Sequence, residues 1–381
     1  MAGIYIHIPF CRQACHYCDF HFSTSFKNKT AFLHSLKKEI EFRKDYLGTN
    51  FGNEKIESVY FGGGTPSVLS KDELLSIFDE LNSFFNIDSK AEITLEANPD
   101  DLSKQKIKEL SETPVNRLSI GIQSFSDSDL LFLNRIHTSR EAISAVKNSQ
   151  DLGFSNITID LIYGIQTMTN EEWKKNLESA FSLDVQHISS YCLTIEYKTA
   201  LNRFISSGKI KNIDDRKGAE QFEILMNEMH KNNFIHYEIS NFGKENYFSR
   251  HNSNYWKGKK YLGLGPSAHS FDGESRQWNV ASNTAYIQAI SETKIPFEKE
   301  TLSRNQKFNE YILTSLRTMW GVDLNYVKQY FSPEMNAALL SAAVEIQKKE
   351  LAILNNGCIV LTKRGKLFAD KIASDLFAKS D

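Results

Sequence analysis

Residues 3–18 read GIYIHIPFCRQACHYC, and this stretch decides the fold. The run GIYIHI (3–8) is short, β-rich and bounded by proline, which reads as a strand. Directly after it Cys11, Cys15 and Cys18 stand in a C-x-x-x-C-x-x-C spacing, so one short loop can wrap three thiolates around a single metal centre. In parallel α/β sheets the working residues stand at strand C-termini and in the loops that follow, which is where this loop falls.

From there to about residue 190 the same pattern recurs: a β-rich run, a polar turn, then a longer segment with helical spacing. The further strand candidates are IESVYF (56–61), AEITLE (91–96), VNRLSIG (115–121), NITIDLI (156–162) and VQHISSY (185–191). Residues 28–46, 71–85 and 171–181 carry apolar side chains at helical steps, with Ser70 and Ser139 as N-cap candidates. About six such units predict an α/β fold, a partial (β/α)6 TIM-like barrel short of the eight units that close a complete one.

Residues 1–200 are read as this barrel. Residues 201–300, with a helical run at 214–231 and an aromatic-rich stretch up to about 272, are read as a subdomain that completes the wall of the same cavity. Residues 301–381 are expected to form a mostly helical, winged-helix-like C-terminal domain: helical runs at 305–317 and 333–350, a hairpin turn at Asn356-Gly357 and a last helix after Lys363. This segment is only mildly basic, so packing or partner docking is expected of it in preference to DNA binding.

The chain has 381 residues and 41% hydrophobic content, enough for a sizeable core. Its 45 basic and 47 acidic side chains nearly cancel, which gives no reason to expect nucleic acid as a partner. There is no signal peptide and no long apolar run, so a cytoplasmic protein without an integral membrane segment is expected. Five cysteines, three of them crowded together, fit a metal site in a reducing compartment better than a disulfide framework. Cys192 and Cys358 lie in apolar runs and are expected to be small core residues.

A structural zinc site closes its tetrahedron with four protein ligands. No second Cys/His pair follows downstream, although His7, His16 and His21 are near enough in sequence to supply a fourth ligand. A 4Fe-4S cluster held by three cysteines instead leaves one iron free, which the amino and carboxylate groups of S-adenosylmethionine can chelate. Gly62, Gly63 and Gly64, followed by Thr65 and Pro66, make a turn without side chains after the second strand, where ligand atoms can approach the backbone. Glu96, Gln123, Arg135 and Asp160 are polar groups of the same rim, suited to a zwitterionic ligand that carries a ribose. Each alone could as well be a cap or a solvent-facing ion pair; their joint placement is the signal.

The runs IYIHIPFCRQACHYCDF, FGGGTPS, SIGIQSF and GLGPSAHSF (263–271) resemble the radical S-adenosylmethionine superfamily, specifically its oxygen-independent coproporphyrinogen III oxidase family, over most of the chain. The resemblance implies a barrel of the radical SAM type, a 4Fe-4S cluster on Cys11, Cys15 and Cys18, and Tyr5 and Tyr17 against the cofactor. It also implies S-adenosylmethionine contacts at Gly63, Gly64, Thr65, Glu96, Gln123, Arg135 and Asp160. Two features depart from the true oxidases: Phe20 stands where they carry a further cysteine, and only ten residues precede Cys11 where they have a longer arm that helps hold the porphyrinogen.

His251-Asn252-Ser253-Asn254-Tyr255-Trp256 matches the H-N-x-x-Y-W motif of the haem chaperones within that family. Histidine can ligate haem iron, and Tyr255 and Trp256 offer flat faces to a porphyrin, although an ordinary loop with inward aromatics has the same composition. The implied function is a haem chaperone that transfers haem to an acceptor protein, with an electron donor for its cluster. The alternative is the oxidase itself, which converts propionates to vinyl groups by radical chemistry.

Overall fold

The computed structural model describes residues 1–48 and 54–378. Six parallel strands lie side by side in chain order: β1 Ala2–Ile8, β2 Lys55–Gly63, β3 Asn86–Ala97, β4 Arg117–Gln123, β5 Ile157–Tyr163 and β6 His187–Cys192. Helices α1 Lys29–Phe42, α2 Lys71–Phe84, α3 Lys104–Ser111, α4 Asp127–Phe132, α5 Ser139–Asp151 and α6 Asn170–Ser182 connect them. After α7 Ala200–Ser206 and α8 Asp215–Lys231, the strands β7 Ile235–Glu238 and β8 Asn241–Gly243 extend the sheet antiparallel beyond β6. Past α9 Arg250–Trp256, β9 Tyr261–Leu264 pairs parallel with β1, and β10 His269–Phe271, β11 Ser275–Asn279 and β12 Phe297–Thr301 continue outward on that flank. Residues 201–300 thus add strands at both edges of one twelve-stranded sheet.

Period-two alternation explains how these strands are used. In β1, Ile4, Ile6 and Ile8 are fully buried in the apolar core, where Phe32, Leu36 and Ile40 of α1 also lie. The intervening positions hold polar or small side chains that bond to one another on the opposite face. Arg117 donates to Thr158, Thr158 Oγ1 lies 3.1 Å from His187 Nδ1, and His187 Nε2 lies 2.7 Å from Tyr237 Oη. A polar interior of this kind is stable only because its groups find partners.

The element expectations mostly hold, with shifted ends. The strand expected at 91–96 begins earlier, at Asn86, and the one expected at 115–121 runs on to Gln123, which ends the strand instead of following it. Ser70 caps α2 in a full capping box with Glu73. Ser139 does not cap α5: Thr138 does, its side chain accepting from Glu141 N while Glu141 reaches back to the Thr138 backbone. Cys192 is exposed, contrary to expectation, because it stands where β6 leaves the sheet, and Cys358 is half-buried.

The C-terminal part holds its own apolar core under the helices α11 Arg304–Leu316, α12 Leu324–Tyr330 and α13 Pro333–Lys348, once α10 Asn283–Ser291 is passed. A three-stranded sheet completes it: β13 Val322–Asp323, β14 Ala352–Asn355 and β15 Cys358–Leu361. Asn356 and Gly357 join β14 to β15 with φ of 48° and 78°, both left-handed as a two-residue hairpin turn requires. Helices α14 Lys363–Lys366 and α15 Ala369–Asp375 follow. Among the described residues no helix is long and apolar enough to cross a membrane.

Candidate cofactor site

The cysteine loop leaves β1 at the C-terminal end of the parallel strands and closes on itself: Cys11 N donates to Ser23 O at 3.0 Å and Ser23 N to Pro9 O at 2.9 Å. Its far side is tied to the segment after α4. His16 N donates to Leu133 O, Gln13 Nε2 to Asn134 O, and Asn134 Nδ2 back to Ala14 O. The Arg12 guanidinium pairs with Asp101 at 2.6 Å. The loop is therefore held in shape by protein contacts on both sides before any cofactor binds.

Two donors address its sulfurs. Thr65 Oγ1 donates to Cys11 Sγ at 3.3 Å and Arg135 Nη1 to Cys15 Sγ at 3.4 Å. Asn98, which the sequence reading passed over, connects them: its Nδ2 donates to Thr65 Oγ1 and its Oδ1 accepts from Arg135 Nη2 at 2.7 Å. The signal for Asn98 was its place just past Glu96 at the end of β3, the position rule that had picked out the other rim residues. Burial pushes the Cys11 thiol up to about 11 and the Cys18 thiol up to about 12, so binding iron requires these thiols to give up protons.

The glycine turn packs against the start of this loop. Gly64 N donates to Ile8 O and Thr65 N to Phe10 O, and a Cβ on Gly64 would stand 2.7 Å from Ile8 O. Gly63, at φ 102°, has no room for a Cβ beside the His7 ring. Two backbones meet here as closely as they can, and only glycine permits it.

Beside the turn, Glu96 accepts from Tyr60 Oη at 2.8 Å and from Gly63 N at 3.2 Å. Burial raises its pKa to about 7, with the Asp160 charge adding to the rise. Asp160 accepts from Ser119 Oγ at 3.2 Å, and burial lifts it to about 6. Tyr5 lies 6.1 Å from the Tyr60 ring, and burial raises the Tyr17 phenol far above its usual range. Gln123 holds a left-handed φ of 70° at the end of β4. The strand ends thus bring the cysteine loop, the glycine turn, Glu96 and Arg135 into one connected array, with Asp160 tied to it electrostatically.

Of the 251–256 motif, His251 comes up beside this array, its ring 6.3 Å from that of Tyr5. α9 crosses the inner face of the sheet near the beginnings of β1 and β2, and the Glu92 carboxylate accepts from Arg250 N and His251 N. His251 Nδ1 lies 3.1 Å from Ser58 Oγ, and its ring is 5.0 Å from that of Tyr60. By register Ser58 precedes Gly62 by four residues, roughly 13 Å along the strand. Tyr255 is exposed, stands edge-on to Trp256 and has its ring 5.7 Å from that of Tyr261.

Among the described residues no three His, Cys, Asp or Glu side chains converge as on one metal ion. The cysteines are better matched to a multi-iron cube, in which each thiolate takes a different iron, than to one tetrahedral zinc. A parallel half-barrel with such a loop after its first strand and a glycine turn after its second defines a radical SAM protein. The model of the radical SAM superfamily matches residues 5–180, and that of the HemN C-terminal domain matches residues 302–368. The chain belongs to the HemW family: it is 32% identical to the protein named heme chaperone HemW of Bacillus subtilis over 98% of both chains. It is likewise 32% identical to its namesake in Lactococcus lactis over 95% of this chain and 93% of that one. Among solved structures, the radical SAM coproporphyrinogen III oxidase HemN of Escherichia coli superposes with a TM-score of 0.84 at 21% identity, covering 99% of this chain and 90% of that one. The cofactors of the superfamily are a 4Fe-4S cluster and S-adenosylmethionine.

Proposed function

We propose that this protein binds haem in the cytoplasm and hands it to acceptor proteins, with a 4Fe-4S cluster and S-adenosylmethionine as resident cofactors and a separate protein as electron donor. The observation that carries this reading is the similarity along 98% of both chains to a protein named heme chaperone. Phe20 supports it, since a side chain that is 71% exposed beside the cysteine loop takes the place of the oxidases' further thiol.

In this reading Cys11, Cys15 and Cys18 ligate three irons, and the Thr65 hydroxyl and Arg135 guanidinium stabilise negative charge on the sulfurs. When bound, the cluster supplies one-electron chemistry and an open iron for S-adenosylmethionine to chelate. Glu96, with a carboxyl poised near 7, takes the ligand's ammonium group and is drawn to its ionised form by it. Backbone groups of Gly63 and Gly64 flank the same end, Gln123 and Asp160 serve the ribose, and Tyr5 and Tyr17 shield the site from water. His251, Tyr255 and Trp256 are carried by α9, the helix given to haem.

The test is made on anaerobic, cluster-loaded protein. It is expected to take up haem, to pass it to a haem-free globin, and to yield no protoporphyrinogen from coproporphyrinogen III with S-adenosylmethionine and a reductant. Protoporphyrinogen above the level given by a variant lacking all three cysteines makes the protein an oxidase instead.

A further inference from the structure

Helix α9 has two working faces. His251 looks into the barrel, whereas Arg250, Ser253, Asn254 and Lys257 stand at i, i+3, i+4 and i+7 and form a separate stripe. With Phe248 and Trp320 this stripe lines a half-open groove of about 340 Å³. Trp320 follows α11, so the groove joins the barrel to the C-terminal part, a favoured place for ligand sites.

The Trp320 indole makes one wall of the groove flat. The Lys257 ammonium sits 4.0 Å from the centroid of the Trp320 ring. Ser253 is only 8% exposed, yet its hydroxyl has no hydrogen-bond partner, and neither has the buried Asn254 Nδ2. Both atoms are closed off from solvent beneath the groove, so the groove's own surface is made by Arg250, Lys257 and Trp320. Arg250 Nη1 donates to Lys90 O at 2.8 Å, which holds its guanidinium at the groove. Glu57, the one carboxylate among the lining residues, is paired with Lys259 at 3.1 Å and does not neutralise Lys257.

We propose that this groove takes the carboxylate-bearing edge of a tetrapyrrole: Arg250 and Lys257 pair with propionate, and the Trp320 indole meets the ring face. The assignment rests on the haem-carrier reading and names where the cargo sits. Entry of the ligand exchanges the ammonium on the indole for the macrocycle and frees Lys257 to meet a propionate.

Ferric haem and its dimethyl ester, which lacks the propionate charges, distinguish the possibilities when titrated into cluster-loaded protein and followed by Soret absorbance. Wild type is expected to prefer haem over the ester by about tenfold or more, the scale of a charge-assisted hydrogen bond. Lys257→Gln, a change at an exposed side chain, lowers that preference several-fold, and Trp320→Leu weakens both ligands. If both variants bind haem and ester as wild type does, haem sits elsewhere and the groove assignment falls while the carrier reading stands. If wild type binds no haem at all, the carrier reading itself falls.

Discussion

Glu96 carries opposed demands. Its carboxyl is buried beside Tyr60 and Gly63, which raises its pKa from 4.5 to about 7. Between those values the folded cofactor-free protein keeps a proton that the unfolded chain has lost, so stability present below pH 4.5 is given up as pH rises through 7, up to about 3 kcal/mol. Glu96→Gln removes this dependence. Its urea midpoint relative to wild type should therefore climb between pH 5 and pH 8, while binding of S-adenosylmethionine weakens. A difference that stays flat across that range would show that Glu96 does not titrate as its burial implies. Glu96 was legible from the sequence because it ends a strand; the proton it holds was not, because burial is a property of the assembled sheet.

At the scale of elements, the βα period was legible because strands and helices are set by local alternation and by caps. The misplaced cap at Ser139 is instructive. Thr138 and Ser139 are both capping residue types, and what separates them is the T-x-x-E pattern from Thr138 to Glu141, whose side chain reaches back to close the box. The glycine run was read as a turn after β2 with space for a ligand; Gly62 and Gly63 instead end the strand, and Gly64 is required by the packing of two backbones. Gly64→Ala places a Cβ 2.7 Å from Ile8 O and 2.8 Å from Phe10 N, neither of which can swing away as a side chain can. The expected cost is about 1–3 kcal/mol by chemical denaturation, with poorer cluster retention because the cysteine loop starts at Phe10. Unchanged stability would mean that the junction of β1 and the turn yields easily.

Across the whole molecule the inner face of the sheet is a set of polar partnerships that long-range folding assembles. Burial lowers the pKa of His251 to about 4 and that of His187 strongly on this face, and that of His236 to about 3 on the apolar face, where it meets Phe222 and Phe242. The unfolded chain therefore takes up protons that the folded protein declines, and this contribution to stability is lost as pH falls from about 6.5 toward 4. Glu96 and Asp160 act in the opposite sense over an overlapping range, which tempers the slope. His236 stacks on Phe242 with ring centroids 4.1 Å apart, so Phe can replace it in shape. His236→Phe is expected to lose less stability than wild type between pH 6.5 and pH 4 in thermal melts; parallel pH profiles would contradict that.

The sequence by itself determined the cysteine loop, the parallel strands that present it and the ring of polar residues at their ends, because spacing and periodicity act over a few neighbouring residues. Only the tertiary structure decided that Asn98 links Thr65 to Arg135, that His251 turns into the barrel to meet Ser58, and that Trp320 comes up against Lys257. Those pairings join residues 33 to 193 positions apart in the hydrogen-bonded cases. No local pattern encodes them; they arise when the sheet curls and its polar side chains must find partners away from water.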